Sequence, residues 1–274
     1  FTALSFAEVS SKFPESGGTY TFAKKVLSVE AAFVVGWIVW FASIVAAALY
    51  ALGFAEFSRI VVLEAFNLTR QVSPEWIQTR SFVSGLAIVA TIIYVVRLVF
   101  GTAGGGWLSN VGKVVVFALL IVCGLWALRE RSPHELTTSL TPFFADGWPG
   151  LLRAMGFTFI ALQGFDLIAA VGGEVRQPER TIPRAMLISL FIALLIYLPL
   201  LLVVATVGMG PGESICDVSR EHTETIIAVA SEQYLGRFGY WLVIVAAILS
   251  MLSALQANLF AASRVATSVF SFPH

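Results

Sequence analysis

Six apolar runs of membrane-spanning character follow a shorter apolar stub at Phe1–Val9. They occupy about 31–55, 81–100, 113–128, 154–173, 185–209 and 238–263. A helix rises about 1.5 Å per residue, so roughly 20 apolar residues cross a hydrocarbon core of about 30 Å. The runs Phe82–Val96 and Val114–Leu128 are short, but Arg80, Arg97, Lys113 and Arg129 bracket them and can snorkel to the interface. Barrel strands would instead alternate apolar and polar residues over about ten positions, and the chain shows no such alternation. The expected fold class is an all-α polytopic membrane protein, organised as one domain over residues 1–274.

Composition agrees. The chain is 58% hydrophobic and 12% charged, with a mean hydropathy of +0.85, whereas a soluble domain is about half apolar and a quarter charged. Net charge is zero, so membrane lipid is an expected partner and nucleic acid is not. Cys123 lies in an apolar run and Cys216 in a polar loop, which makes neither a disulfide framework nor a metal spacing. His134, His222 and His274 form no ligand pattern. No cofactor or metal is expected, and no nucleophile–base pair suggests an enzyme. The sequence opens on Phe1 in the middle of an apolar run and is expected to be a piece of a longer protein.

The connectors carry further information. Residues 10–25 (SSKFPESGGTYTFAKK) are polar and rich in Gly and Pro, predicting a turn and a helix restart. Residues 56–79 are long and amphipathic, predicting a segment lying partly in the interface plane. Residues 129–150 and 210–224 read as long loops, and in 174–185 Thr181 is expected to cap the next helix with Pro183 in its first turn. Alternation of spans puts nine Lys/Arg on the side of 10–30, 97–113, 174–184 and the end at Arg264, against eight on the other. That near-tie decides little, but all four lysines fall on the first side, which favours it as cytoplasmic. Two stripes of small residues predict close helix packing: Ala32, Gly36, Ser43, Ala47 and Ala51, and Ala246, Ser250, Ala254, Ala257 and Ala261.

One run is interrupted. FTFIALQGFDLIAAVGGEV (157–175) holds Gln163, Gly164 and Asp166 at its centre. Gln163 is ten residues from the interfacial Arg153, about 15 Å along a helix and so near the midplane. Glycine weakens a helix by roughly 1 kcal/mol relative to alanine. Polar groups and unwound backbone at that depth are tolerated only against protein or a water-filled cavity. A discontinuous helix facing a polar ligand accounts for all three residues. A buried structural acid bonded to a neighbouring helix, or the polar core of a pore or receptor, accounts for Asp166 as well.

The chain resembles the amino acid–polyamine–organocation transporters at four places in family order. FAEVSSKFPESGGTYTFAKK (6–25) is similar to the end of that family's helix 2 and the start of helix 3, through Glu8, Phe13, Pro14, Gly17, Gly18 and Tyr20. VVGWIVWFASIVAAA (34–48) resembles the G-W-x-x-W stretch of helix 3. FIALQGFDLIAAVGGEVRQPERTIPRAM (159–186) resembles the helix 6 signature, matching at Gly164, Phe165, Asp166, Glu174, Pro178, Arg180, Ile182, Pro183 and Ala185. AASRV (261–265) resembles the end of helix 8.

The resemblance implies a five-plus-five inverted-repeat transporter fold with a discontinuous helix 6, of which this chain holds late helix 2 to helix 8. It implies a permease of the plasma or bacterial inner membrane, moving amino acids or related amines and coupled to protons or to exchange. On helix 6, carbonyls of Ile160, Ala161 and Gln163 would hold the substrate's amino group, with Gly164 permitting the break. Asp166 would serve substrate binding and coupling, since desolvation favours a carboxylate's protonated form. The family often places an aromatic gate where Ile160 stands, and its binding contacts on helix 1 have no counterpart here. The resemblance implies that Lys113 would be the counterpart of a helix 5 lysine that replaces sodium in some proton-coupled members, though Asn110 suits a register three residues away; as an isolated residue it reads as a snorkelling interface lysine. Glu8, Glu174 and Arg180 are candidates for a cytoplasmic gate or for ordinary surface pairs. Asn67-Leu68-Thr69 forms a glycosylation sequon on the expected outer side. A receptor or sensor that binds without transporting is the alternative reading.

Overall fold

The inside-out distribution of side-chain size shows how this chain is built. The computed structural model describes residues 1–13, 17–69, 72–101, 107–141, 146–162, 164–170, 175–210 and 215–270, with backbone alone at 107–109, 133, 138, 160–162, 165–166 and 270. The described residues form α1 (Thr2–Lys12), α2 (Thr19–Val26), α3 (Val29–Leu68), α4 (Arg80–Val99), α5 (Trp107–Leu128), α6 (Pro133–Ser139), α7 (Gly147–Leu162), α8 (Phe165–Ala170), α9 (Pro178–Thr206), α10 (Ile215–Glu221) and α11 (Ile226–Phe270). A 3-10 turn at Glu75–Gln78 precedes α4, and no strand occurs among the described residues. Along α3 the buried residues are Ala32, Gly36, Ser43, Ala47, Ala51 and Ala55, while Phe33, Trp37, Phe41 and Leu49 face outward. Water would penalise that arrangement. Lipid favours it, because packing of small residues, rather than expulsion of apolar ones, holds membrane helices together.

Among the described residues, five helices are long and apolar enough to cross a membrane: Val29–Leu68, Arg80–Val99, Asn110–Leu128, Pro178–Thr206 and Ile226–Val269. The sixth expected run is divided between α7 and α8. Local chemistry sets several of the helix starts. Ser28 and Thr79 cap α3 and α4, accepting from the N–H groups of Ala31 and Phe82 at 3.3 and 3.4 Å. Ser132 and Glu135 form a reciprocal capping box at α6, at 3.2 and 3.3 Å; this places a short helix within the expected loop 129–150.

One helix bound and one cap differ from the sequence expectation. Residues 56–68 belong to a longer helix. They continue α3 to 40 residues, about 60 Å at the helical rise and twice a hydrocarbon core. Paired polar side chains line that extension, Arg59 on Glu56 and Asn67 on Glu64. Thr181 is not the cap of the helix that follows 174–177. That helix, α9, begins at Pro178, whose missing N–H costs nothing in a first turn. Gln177 precedes it at φ +50°, its carbonyl accepting from Arg180 and Thr181, and the Thr181 hydroxyl donates back to the Arg176 carbonyl at 3.0 Å.

The chain divides into two compact units. The first holds Phe1–Gly105, Gln163–Phe191 and Ser250–His274; the second holds Gly106–Leu162 and Ile192–Leu249. In the first, Leu255 of α11 fills the room left by Ala47, Ala51 and Ala55 of α3 and by Ala87 and Ala90 of α4. A second cluster joins Ala7 of α1 and Ala169 of α8 to Ile182 and Met186 of α9, and a third joins Ala170 to Ala261, Val265 and Val269 of α11. The second unit is built on Leu120 of α5, Leu200 and Val204 of α9, Val218 of α10 and Ala230 of α11. Its Gly124 lies so close to Val203 that an added Cβ would overlap the valine methyl groups. An Arg131 guanidinium N–H donates to the Met209 carbonyl at 3.4 Å and ties the start of one connector to the end of α9.

Candidate functional site

The break in the sixth run is built from its backbone. α7 stops at Leu162 and α8 starts at Phe165. Gly164 sits between them at φ +132°, a region essentially closed to residues with a Cβ. An added Cβ there would meet nothing within 4 Å, so conformation, not crowding, requires the glycine. The Gly164 carbonyl accepts the Leu167 N–H at 3.1 Å and starts α8. A helix leaves its last four carbonyls without partners inside the helix; in α7 these belong to Phe159, Ile160, Ala161 and Leu162. Asp166 is the second residue of α8. Gln163 lies outside the described residues, as do the side chains of Ile160, Ala161 and Asp166.

The two halves are held very differently. From Leu152 to Phe159 every residue of α7 is exposed, with Phe157 at 76%. α8 is fixed on two faces, by Ile168 and Ala169 against α1 and α9, and by Leu167 and Ala170 against α11. Its last carbonyl, of Ala170, accepts the Gly17 N–H at 3.2 Å. Gly17 and Gly18 have φ of +106° and +52°. A Cβ on Gly17 would lie 2.6 Å from Thr21 Oγ1 and 2.7 Å from Ser268 Oγ; one on Gly18 would lie 3.2 Å from the Ala170 nitrogen. The Gly-Gly turn therefore lets α1 and α2 close tightly around the end of α8 and the end of α11. The sequence signal was present in the dipeptide, read as a turn before its role as a socket was visible.

The remaining candidates lie elsewhere in the fold. Lys113 is near the start of the α5 span, half-buried, and has no carboxylate within ion-pair distance among the described residues. Glu8 accepts from Lys12 Nζ at 2.8 Å, one turn along α1, and both side chains are largely exposed. Arg180 is exposed in the first turn of α9, and Glu174 lies outside the described residues. Sequence reasoning did not single out Asn258, a buried amide in α11 whose Nδ2 donates to the Ala254 carbonyl at 2.9 Å. An amide inside an apolar run was its signal, as it was for Gln163.

A family model described as "Amino acid permease" matches residues 1–271. The chain belongs to the amino acid permease family. The permease family is one of transport proteins, not enzymes, and its members are integral to the membrane, with which the five apolar helices among the described residues agree. Among curated relatives, this permease chain is 32% identical to the inner membrane transport protein YbaT of Escherichia coli K12, over 54% of the chain and 32% of YbaT. It is 25% identical to the branched-chain amino acid permease BcaP of Lactococcus lactis, over 77% of the chain and 46% of BcaP. It is 31% identical to the serine/threonine exchanger SteT of Bacillus subtilis, over 71% of the chain and 41% of SteT. The chain thus spans less than half the length of these relatives.

Proposed function

We propose that the full-length protein is a secondary transporter that moves amino acids or related amines across the membrane by alternating access. The observation that carries this reading is the helix break at Gly164 within an apolar run of a chain in the amino acid permease family. The C-terminal end of α7 carries roughly half a negative elementary charge on its unpartnered carbonyls. Carbonyls of Ile160, Ala161 and Gln163 suit a substrate ammonium there, where a permanent side-chain anion would hold a cation too firmly to release it. Gly164 keeps the break open and lets a ligand approach the backbone. Asp166, two residues after Gly164, is assigned to substrate binding and coupling.

In this reading α8 is the fixed half and α7 the half whose neighbours include segments beyond this chain, consistent with a five-plus-five inverted repeat of which the chain forms late helix 2 to helix 8. Glu8, Glu174 and Arg180 are assigned to the cytoplasmic end as gate candidates. The names of BcaP and SteT point to different amino acids, so the substrate class is carried over and the side chain is not. Coupling is assigned to protons or to exchange, and Lys113 is the residue that separates these. In full-length protein reconstituted in liposomes, Lys113→Gln is expected to keep uptake of labelled amino acid by exchange while losing most of its stimulation by an inward proton gradient. Unaltered stimulation would return Lys113 to the role of a snorkelling interface lysine.

A further inference from the structure

We propose that Asn258 of α11 selects the substrate's side chain, favouring amino acids that carry a hydroxyl or a carboxamide. The proposal rests on the transport reading above and names the substrate class of that site. Asn258 is 8% exposed inside an apolar span. Its amide offers two N–H donors and a carbonyl oxygen with two lone pairs. One N–H donates to the Ala254 carbonyl at 2.9 Å, a bond within the helix. The second N–H and the carbonyl oxygen have no partner among the described residues. Leaving a buried polar group in that state is costly, so the amide calls for a group that both gives and takes a hydrogen bond.

Its place on α11 points to the break. Asn258, Ala261, Val265 and Val269 follow one another at three, four and four residues and so share one helix face. Leu167 and Ala170 of α8 pack with Ala261, Val265 and Val269, and α8, Gly164 and Asn258 all belong to the first unit. One membrane span, α9, separates α8 from α11 in the chain, so the two run in the same direction. The Ala170 carbonyl accepts from Gly17, and a Cβ on Gly17 would lie 2.7 Å from Ser268 Oγ, which sets Ala170 level with Ser268. Six residues back along each, Gly164 comes level with Ala262. Asn258 lies one turn further, about 6 Å at the helical rise, past the point where α8 stops. Helix side chains lean toward their own N-terminus, here away from α8, as the bond to Ala254 shows. This face of α11 is apolar where α8 covers it and becomes an amide where the break opens.

A substrate hydroxyl can donate to the amide oxygen and accept from the second N–H, and a carboxamide pairs with both reciprocally. An aliphatic side chain does neither and strands both groups. Threonine and valine have nearly the same shape and differ by that hydroxyl, so they make the test. In full-length protein reconstituted in liposomes, kcat/KM for threonine is expected to exceed that for valine by about tenfold or more, because a site that bonds a hydroxyl rejects the analogue lacking it. Asn258→Leu is expected to lower the threonine value about tenfold and to raise the valine value severalfold, a reversal that a purely structural amide would not produce. Threonine, and not valine, is also expected to raise the thermal midpoint of the wild type in detergent, a measurement that needs no variant. Equal handling of the two amino acids by the wild type would overturn the proposal, as would a threonine preference that survives Asn258→Leu. Uptake of other amino acids without threonine would overturn it and leave the transport reading standing. No uptake of any labelled amino acid by folded protein would overturn both.

Discussion

Gly164→Ala is expected to lower amino acid uptake by the full-length protein tenfold or more, while Gly156→Ala leaves it within about twofold; a left-handed residue given a Cβ bears about 1–3 kcal/mol of strain. The pair isolates one variable. At both glycines an added Cβ meets nothing within 4 Å, but Gly156 lies inside α7 and Gly164 holds φ +132°. Alanine is also the best helix former, favoured over glycine by about 1 kcal/mol. At 164 it both strains the open conformation and rewards a continuous helix, in which the α7 carbonyls would be consumed by the next turn. Binding of an ammonium and passage between states should therefore fail together. The check is initial-rate uptake in proteoliposomes, with folded protein verified by gel filtration. Wild-type uptake by Gly164→Ala would show that the open break is not needed.

Gly17→Val is expected to act on the fold rather than the ligand. Its φ of +106° excludes a β-branched residue, and the Cβ would press on Thr21 and Ser268 while disturbing the Gly17–Ala170 hydrogen bond. Backbone strain and overpacking together amount to roughly 2–5 kcal/mol. The thermal midpoint of the full-length protein in detergent should fall by several degrees, and that of Gly112→Val, where no atom lies within 4 Å, should fall much less. Adding Ser268→Gly to Gly17→Val should recover only the Ser268 share of the steric loss, leaving the contact with Thr21 and the conformational part. Equal midpoints for the two glycine variants would mean that the Gly-Gly turn does not anchor α8.

Hydropathy located the spans because lipid imposes a length on them, but it marks where the hydrocarbon ends, not where a helix ends. Between Gly53 and Pro74 the sequence has neither glycine nor proline, so α3 continues to Leu68 past its apolar part. The small-residue stripe of α3 is buried at every expected position. That of α11 holds at Ala246 and Ala261, while Ser250 and Ala254 are partly exposed and Ala257 is exposed. The reason is complementarity: the alanines of α3 and α4 leave a hole that the large Leu255 fills, so small residues on one helix predict a large one opposite. A single sequence does not announce which large one. At the break, Gly164 was legible because glycine in an apolar run has a cost that needs an explanation. The socket at Gly17 and Gly18 was not, because it joins residues about 150 and 250 positions apart and no local pattern encodes that distance.

Uptake by the full-length protein in proteoliposomes tests the central claim most directly. A panel of labelled amino acids would be followed with and without an inward proton gradient, beside Asp166→Asn. Transport coupled at the break predicts uptake of a few amino acids, stimulated by the gradient in the wild type and unstimulated in the variant. Folded wild-type protein that takes up none of the panel would contradict the amino acid transport claim and favour a membrane receptor or sensor built on the same broken helix.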